Sequence, residues 1–241
     1  MDIPKEIEVK VIGCGSLEEL EKKLIGIGAK KIAGRGLIRD RYFKFNNERH
    51  NPAIITEARG GEDGSSVLFW RLNDDEYSVS VPDDISKLRQ MLIFLGLSLD
   101  GGAPGMFKER SVRLRQEHKK WVWTVKAKRQ KGANIDNRHE LEIRVSGPEE
   151  VISFLNACGY NRDNYLEKYR TEYHLGKIKF MIDECPGIDP YLEVEGETED
   201  QVFEQVRALG FSQSQTMAVS SKYIGRLAGI SEEHLSDWRF N

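Results

Sequence analysis

The 241 residues include 36 Lys and Arg against 39 Asp and Glu, so 31% charged residues leave a net charge of only −3. That balance excludes a simple basic nucleic-acid binder, which needs a positive excess to hold phosphates, and 39% apolar residues exclude an acidic disordered chain. Apolar runs stay short of the ~18 residues of a membrane-spanning helix, and the opening Met1–Glu6 lacks the apolar stretch of a signal peptide, so a cytoplasmic protein without a membrane partner is expected.

Along the chain, residues 6–12 alternate charged and apolar side chains, as a half-buried strand does. Ser16-Leu17-Glu18-Glu19-Leu20 then opens a helix that runs to Ile27-Gly28, with Leu17, Leu20, Leu24 and Ile27 forming one apolar stripe. Strands are expected at 38–45, 54–59 and 67–72, separated by Gly60-Gly61-Glu62-Asp63-Gly64 and followed by Asn73-Asp74-Asp75. A second strand–helix unit begins at 76–81, with Asp83 as the helix cap and Leu95-Gly96 as its end. Gly101-Gly102-Ala103-Pro104-Gly105 is the most flexible internal point by composition. Strands at 107–115 and 121–128 precede a third unit, strand 140–145 with a helix from Gly147-Pro148 to Cys158-Gly159. Strands 165–175 and 177–184 are followed by a fourth unit, strand 191–196 with a helix from Thr198 to Leu209-Gly210. The end reads as a helix at 222–228 and a short one from Ser231. Strand–helix units in series predict an α+β fold with internal duplication, and no Pro/Ser-rich linker divides it, so one domain over 1–241 is expected. Cys14, Cys158 and Cys185 are too scattered for a disulfide framework and are expected to be reduced thiols.

The strand faces carry the informative pattern. Residues two apart share a face, so Glu6, Glu8 and Lys10 oppose Ile7, Val9 and Val11. Glu140, Glu142 and Arg144 oppose Leu141, Ile143 and Val145, and Glu193 and Glu195 oppose Leu192 and Val194. Arg113 and Arg115 oppose Val112 and Leu114. Thr124, Lys126 and Lys128 oppose Trp123, Val125 and Ala127, and Lys177, Lys179 and Asp183 oppose Ile178, Phe180 and Ile182. A solvated face would mix in Thr, Ser and Gln; here acids and bases are sorted between strands. A sheet closed with its charged face inward and helices over its apolar outside accounts for this. Carboxylates at i, i+2 can hold divalent cations through oxygen, and Arg and Lys can clamp phosphate. A polyphosphate with Mg²⁺ or Mn²⁺ presents both partners.

These residues resemble the CYTH family, the triphosphate tunnel metalloenzymes. Glu6-Ile7-Glu8-Val9-Lys10 is similar to its Glu-x-Glu-x-Lys strand, and Asp40-Arg41-Tyr42-Phe43 to its Asp-x-Tyr-Phe. Arg113-Leu114-Arg115, Trp123-Thr124-Val125-Lys126, Glu140-Leu141-Glu142, Lys168-Tyr169-Arg170 with Tyr173, Asp183, Glu193-Val194-Glu195 and Lys222-Tyr223 follow in the family's order. The departure is an insertion at about 46–106, read as an added, degenerate copy of the repeat. A second registration would place Glu57, Arg59 and Arg71 on the tunnel wall instead.

The resemblance implies an antiparallel β-barrel of about eight strands, with a charged lumen and helices packed outside. It implies a Mg²⁺- or Mn²⁺-dependent triphosphatase acting on tripolyphosphate, thiamine triphosphate or ATP. The alternatives are a class IV-type adenylate cyclase and a binding module that holds polyphosphate or nucleotide without turnover. The implied metal ligands are Glu6, Glu8, Glu193 and Glu195, with Glu140 and Glu142 on a second ion or bridging water. Lys10, Arg113, Arg115, Lys126, Lys168 and Arg170 would grip the triphosphate, with Lys10 and Asp183 as the catalytic pair. Asp183 either positions water or a metal or pairs with Lys179; Lys222 either reaches the tunnel mouth or is a helix-surface lysine. Nucleic acid is expected only as an RNA 5′-triphosphate end, and a second copy of the chain is a candidate partner. Trp70, Trp121, Trp123 and Trp238 are read as packing groups, and the histidines show no metal-ligand spacing.

Overall fold

The computed structural model describes residues 5–46, 54–72, 75–97, 110–128 and 136–241, without the side chains of 5, 6, 54, 72, 110, 128 and 136–138. The expected turn at 73–74, the flexible point at 101–105 and the start of strand 107–115 lie outside the described residues. In chain order the elements are β1 (Lys5–Val11), α1 (Leu17–Gly26), β2 (Lys30–Phe45), β3 (Ile54–Gly60), β4 (Ser66–Leu72), β5 (Asp75–Val81), α2 (Ile85–Leu95), β6 (Arg110–Glu117), β7 (Lys120–Lys128) and β8 (Asp136–Val145). They continue with α3 (Pro148–Ala157), β9 (Tyr160–Leu175), β10 (Ile178–Glu184), β11 (Tyr191–Gly196), α4 (Glu199–Ala208), β12 (Thr216–Met217), α5 (Ser221–Leu227), α6 (Glu232–Ser236) and β13 (Asp237–Trp238). The expected mixed α+β class is what the chain shows: among the described residues, helices accompany antiparallel strands, and β3, β4 and β5 form a small sheet of their own.

The chain divides into two compact units. The terminal unit comprises Asp2–Arg39, Arg129–His139 and Tyr165–Asn241. In it β1 pairs antiparallel with β11 and with the 136–139 part of β8, β11 pairs with β10, and β10 with β9. The alternation read from the sequence decides the packing. Ile7, Val9 and Val11 of β1, Leu192 and Val194 of β11 and Phe180 and Ile182 of β10 are buried together with Leu20 and Leu24 of α1 and Val202 and Val206 of α4. Each such side chain, fully buried, contributes about 1.5–3 kcal/mol. The start of α1 is held by a reciprocal cap. Ser16 Oγ accepts from the Glu19 N–H at 3.3 Å, and a Glu19 carboxylate oxygen accepts from the Ser16 N–H at 2.7 Å. At the C-terminus, β13 pairs parallel with β9 at Tyr165 and Leu166, anchored by the Trp238 indole N–H donating to the Pro186 carbonyl at 2.8 Å.

The mid-chain unit comprises Asp40–Lys128 and Glu140–Asn164. β6 and β7 form a hairpin in which Arg113 faces Thr124, with Val112, Leu114, Trp123 and Val125 buried on the other side. β3, β4 and β5 make the small sheet, covered by α2 through Leu88, Met91, Leu92 and Leu95. The inserted strand–helix unit thus builds its own sheet. Trp70 and Trp123 both meet the Phe154 ring edge-on at 5.9 Å and pack as expected, as does buried Trp238. Trp121 lies under the Arg41 guanidinium, 5.0 Å from its ring centre.

Several expectations need correction. The cap of α2 is Asp84, which accepts from the N–H groups of Ser86 and Lys87; Asp83 instead accepts from the Arg144 backbone N–H at 2.9 Å. Gly96 ends that helix at φ 75°, a left-handed conformation that favours glycine. β2 and β9 each run 16 residues, beginning earlier than expected. Lys177 lies in the turn before β10 and pairs with Glu197. Glu57 and Arg59 are in the small sheet, exposed and paired with each other. Among the described residues, no helix is long and apolar enough to cross a membrane, and all three cysteines are free and buried.

Candidate functional site

In the terminal unit, the face of the sheet opposite the hydrophobic core carries a dense set of ion pairs. Register places Lys10 opposite Glu193 and Glu8 opposite Glu195 on β1 and β11. Lys10 Nζ lies 2.9 Å from Glu8 and 3.1 Å from Glu193. Arg170 of β9 reaches Glu193 and also forks onto Asp183 of β10, at 2.6 and 2.7 Å. Lys168 donates to Asp183 at 2.5 Å. Lys10, Lys168, Asp183 and Glu193 are all buried. Burial disfavours the Glu193 carboxylate, yet the Arg170 and Lys10 charges outweigh it and hold its pKa well below the usual range. Burial also works against charge on Lys10 and Arg170, and their acid neighbours more than offset it, so both pKa values are raised.

The mid-chain unit carries a second cluster. Asp40 is wholly buried and takes a two-pronged contact from Arg115, at 2.7 and 2.9 Å. Arg113 Nη2 lies 3.3 Å from Thr124 Oγ1, 3.3 Å from Glu142 and 3.5 Å from Glu140. Thr124 donates to Glu142 at 3.0 Å, and Lys126 Nζ lies 2.6 Å from Glu140. Burial raises the Glu142 pKa, and the Arg113 charge together with Glu140, Arg115 and the Thr124 hydroxyl outweighs it, for a net lowering. Arg113 Nε is buried and, among the described residues, has no hydrogen-bond partner; Asp40 Oδ1 is 3.9 Å away.

The structure therefore gathers Glu8, Lys10, Lys168, Arg170, Asp183, Glu193 and Glu195 in one unit, and Arg113, Arg115, Lys126, Glu140 and Glu142 in the other. Asp183 pairs with Lys168 and Arg170, whereas Lys179 pairs with Glu195 at 2.6 Å. Lys222, on α5, lies 3.7 Å from Glu232. Glu6 is in register with Arg138 on β8, and its side chain lies outside the described residues. Asp40, Thr124, Tyr191 and Ser221 join the clusters without having been assigned roles. Asp40 and Thr124 carried a local signal, each standing in a strand motif quoted above and Thr124 sharing a face with Lys126; Tyr191 and Ser221 carried none.

The carboxylates supply oxygen donors, the chemistry Mg²⁺ and Mn²⁺ prefer. Glu8 and Glu195 stand directly opposite each other, a like-charge pair that destabilises strands unless a cation lies against it. Here Lys10 and Lys179 provide that charge. Among the described residues no three acid, His or Cys groups converge on one point, so a divalent ion would take over counter-charge that the lysines now supply. The carboxylate oxygens are the donor type such an ion takes, but among the described residues they are not gathered into a ligand set.

Residues 105–221 match the family model of the CYTH domain. That match takes in every mid-chain and late residue of the two clusters, while the Glu6-x-Glu8-x-Lys10 strand and Asp40 precede it and Lys222 follows it. Solved structures agree on the fold. The PH1012 protein of Pyrococcus horikoshii is similar at TM-score 0.55 and 18% identity, over 88% of this chain and 93% of that one. A conserved hypothetical protein of Pyrococcus furiosus gives 0.56 and 14%, over 90% and 97%. A candidate adenylate cyclase from Vibrio parahaemolyticus gives 0.57 and 13%, over 92% and 98%. No curated protein matches the chain in sequence.

Proposed function

We propose that this protein is a CYTH-type, Mg²⁺- or Mn²⁺-dependent triphosphate hydrolase acting on an inorganic, thiamine or nucleoside triphosphate. The observation that carries this reading is the burial of Lys10, Lys168, Asp183 and Glu193, with Arg170 paired to the two acids, on the sheet face opposite the core. Each buried ion costs several kcal/mol of desolvation, and apolar replacements of such groups are often neutral or stabilising. A charge-dense face of this kind is therefore read as serving a charged ligand. The buried Arg113 Nε–H, which lacks an acceptor among the described residues, suits a phosphate oxygen.

In this reading Glu8, Glu193 and Glu195, with Glu6, hold one ion, and Glu140 and Glu142 a second. When bound, the metal supplies positive charge that polarises the phosphoryl group. Lys10, Arg113, Arg115, Lys126, Lys168 and Arg170 bind and orient the phosphate oxygens and stabilise charge as it develops. Water forms the new bond to the terminal phosphorus, and the anhydride bond to the leaving diphosphate breaks.

The test is to incubate the pure protein with tripolyphosphate, thiamine triphosphate or ATP, each with Mg²⁺, Mn²⁺ or EDTA, and identify products. Metal-dependent orthophosphate release is expected. Cyclic AMP from ATP would replace hydrolysis with cyclisation, and tight binding without product would leave a binding module.

A further inference from the structure

The terminal unit holds a buried hydroxyl pair that the roles above leave unused. Tyr191, at the start of β11, is buried, with its hydroxyl 3.2 Å from Asp183 Oδ2 and 2.7 Å from Ser221 Oγ. Ser221, also buried, is the first residue of α5. A phenol has one proton, an ionised carboxylate only accepts, and a serine hydroxyl can turn to donate or accept. The arrangement that satisfies all three has Ser221 donating to Tyr191 and Tyr191 donating to Asp183. Asp183 Oδ2 thus has three donors around it, Lys168 Nζ, Arg170 Nη2 and the Tyr191 hydroxyl. Packing alone at this position asks only for an aromatic ring; the hydroxyl is what distinguishes tyrosine from phenylalanine.

We propose that Tyr191 is a positioning residue that, through Asp183, fixes the side chains of Lys168 and Arg170 for the triphosphate and, through Ser221, ties the start of α5 to the same carboxylate. The inference rests on the reading of Lys168 and Arg170 as phosphate-binding groups. Without the hydroxyl, Asp183 loses one of its anchors and the two cations it orients gain freedom, which has to be lost again on binding.

The experiment compares wild type, Tyr191→Phe, Ser221→Ala and the double variant. Steady-state kinetics with tripolyphosphate and Mg²⁺ should show KM raised roughly tenfold in Tyr191→Phe with kcat changed much less, the scale of one lost hydrogen bond to a charged group. Ser221→Ala should move KM the same way but less, and the double variant should be no worse than Tyr191→Phe, because both act through one relay. A lowered melting temperature with unchanged KM would assign the hydroxyl to stability alone and overturn the proposal, as would additive effects. Should wild type hydrolyse none of the triphosphates, the functional reading fails, and a ligand-free measurement still decides the link. The Arg170 Nε–H resonance should shift and exchange faster with solvent in Tyr191→Phe; an unchanged resonance overturns it.

Discussion

Arg170 lies fork-on against Asp183, with Nε 2.6 Å and Nη2 2.7 Å from the two carboxylate oxygens of a wholly buried side chain. Lys168 leans on the same carboxylate. Asp183→Ala would leave buried Lys168 and part-buried Arg170 facing a gap, and removing one partner of a buried pair costs about 3–5 kcal/mol. Urea unfolding should show a loss of that size. A loss below about 1 kcal/mol would mean that the cluster is solvated and the pairing weak.

The three thiols predict an alkaline limit to stability. Burial pushes Cys14 up to about 11 and Cys158 and Cys185 up to about 12, from an ordinary value near 9. A raised folded-state pKa favours the protonated form in the fold. Its contribution is intact below pH ~9 and is lost as pH rises toward 11–12, where the unfolded chain releases protons that the folded one keeps. Stability measured in urea should fall across that window, and Cys158→Ala should flatten the fall. At pH 8 a thiol reagent should label the folded protein slowly and all three cysteines in urea. Rapid labelling of the native state would contradict the burial.

Much of this arrangement was legible in the alternation of charged and apolar residues, because a strand's period of two ties each polar face to an apolar one that must be buried. Ile7, Val9 and Val11 under α1 and α4, with Glu8 and Lys10 opposite, follow from that alone. Partner choice was not legible. Asp183 and Lys179 share a strand face, yet the β9–β10 register sets Asp183 beside Arg170 and the β10–β11 register sets Lys179 beside Glu195. Such registers join strands whose pairing no local pattern states. The α2 cap failed for a related reason. Asp83 and Asp84 are both competent caps, and the tertiary contact with the Arg144 N–H claimed the first. Tyr191 and Ser221, thirty residues apart, carried no local signal for their contact.

Glu8 and Glu195 face each other across β1 and β11, and this makes the metal reading testable one charge at a time. Glu8→Gln leaves Lys10 paired with Glu193, so metal-free stability should change by less than about 1 kcal/mol. The Mg²⁺ or Mn²⁺ concentration for half-maximal turnover should rise at least ~10-fold, since even outer partners of metal ligands cost about 10- to 100-fold. Glu195→Gln should behave alike. Metal titrations that overlay wild type for both variants would remove these residues from the ligand set.

The two mid-chain arginines should separate cleanly. Arg115 gives Nε and Nη2 to buried Asp40, whereas Arg113 keeps a buried Nε without an acceptor among the described residues and shares Nη2 between Thr124 and Glu142. Lysine preserves the charge at either position but not the planar fork. Arg115→Lys should therefore act mainly on the fold, costing about 1–3 kcal/mol in urea for a disrupted buried charge-assisted contact. Arg113→Lys should act mainly on the ligand, raising KM for a triphosphate roughly tenfold at little cost in stability. The contrast follows from where each guanidinium is already committed. The opposite pattern, with Arg113→Lys unfolding early and Arg115→Lys shifting KM, would show that the orphaned Nε–H is a packing compromise rather than a phosphate donor.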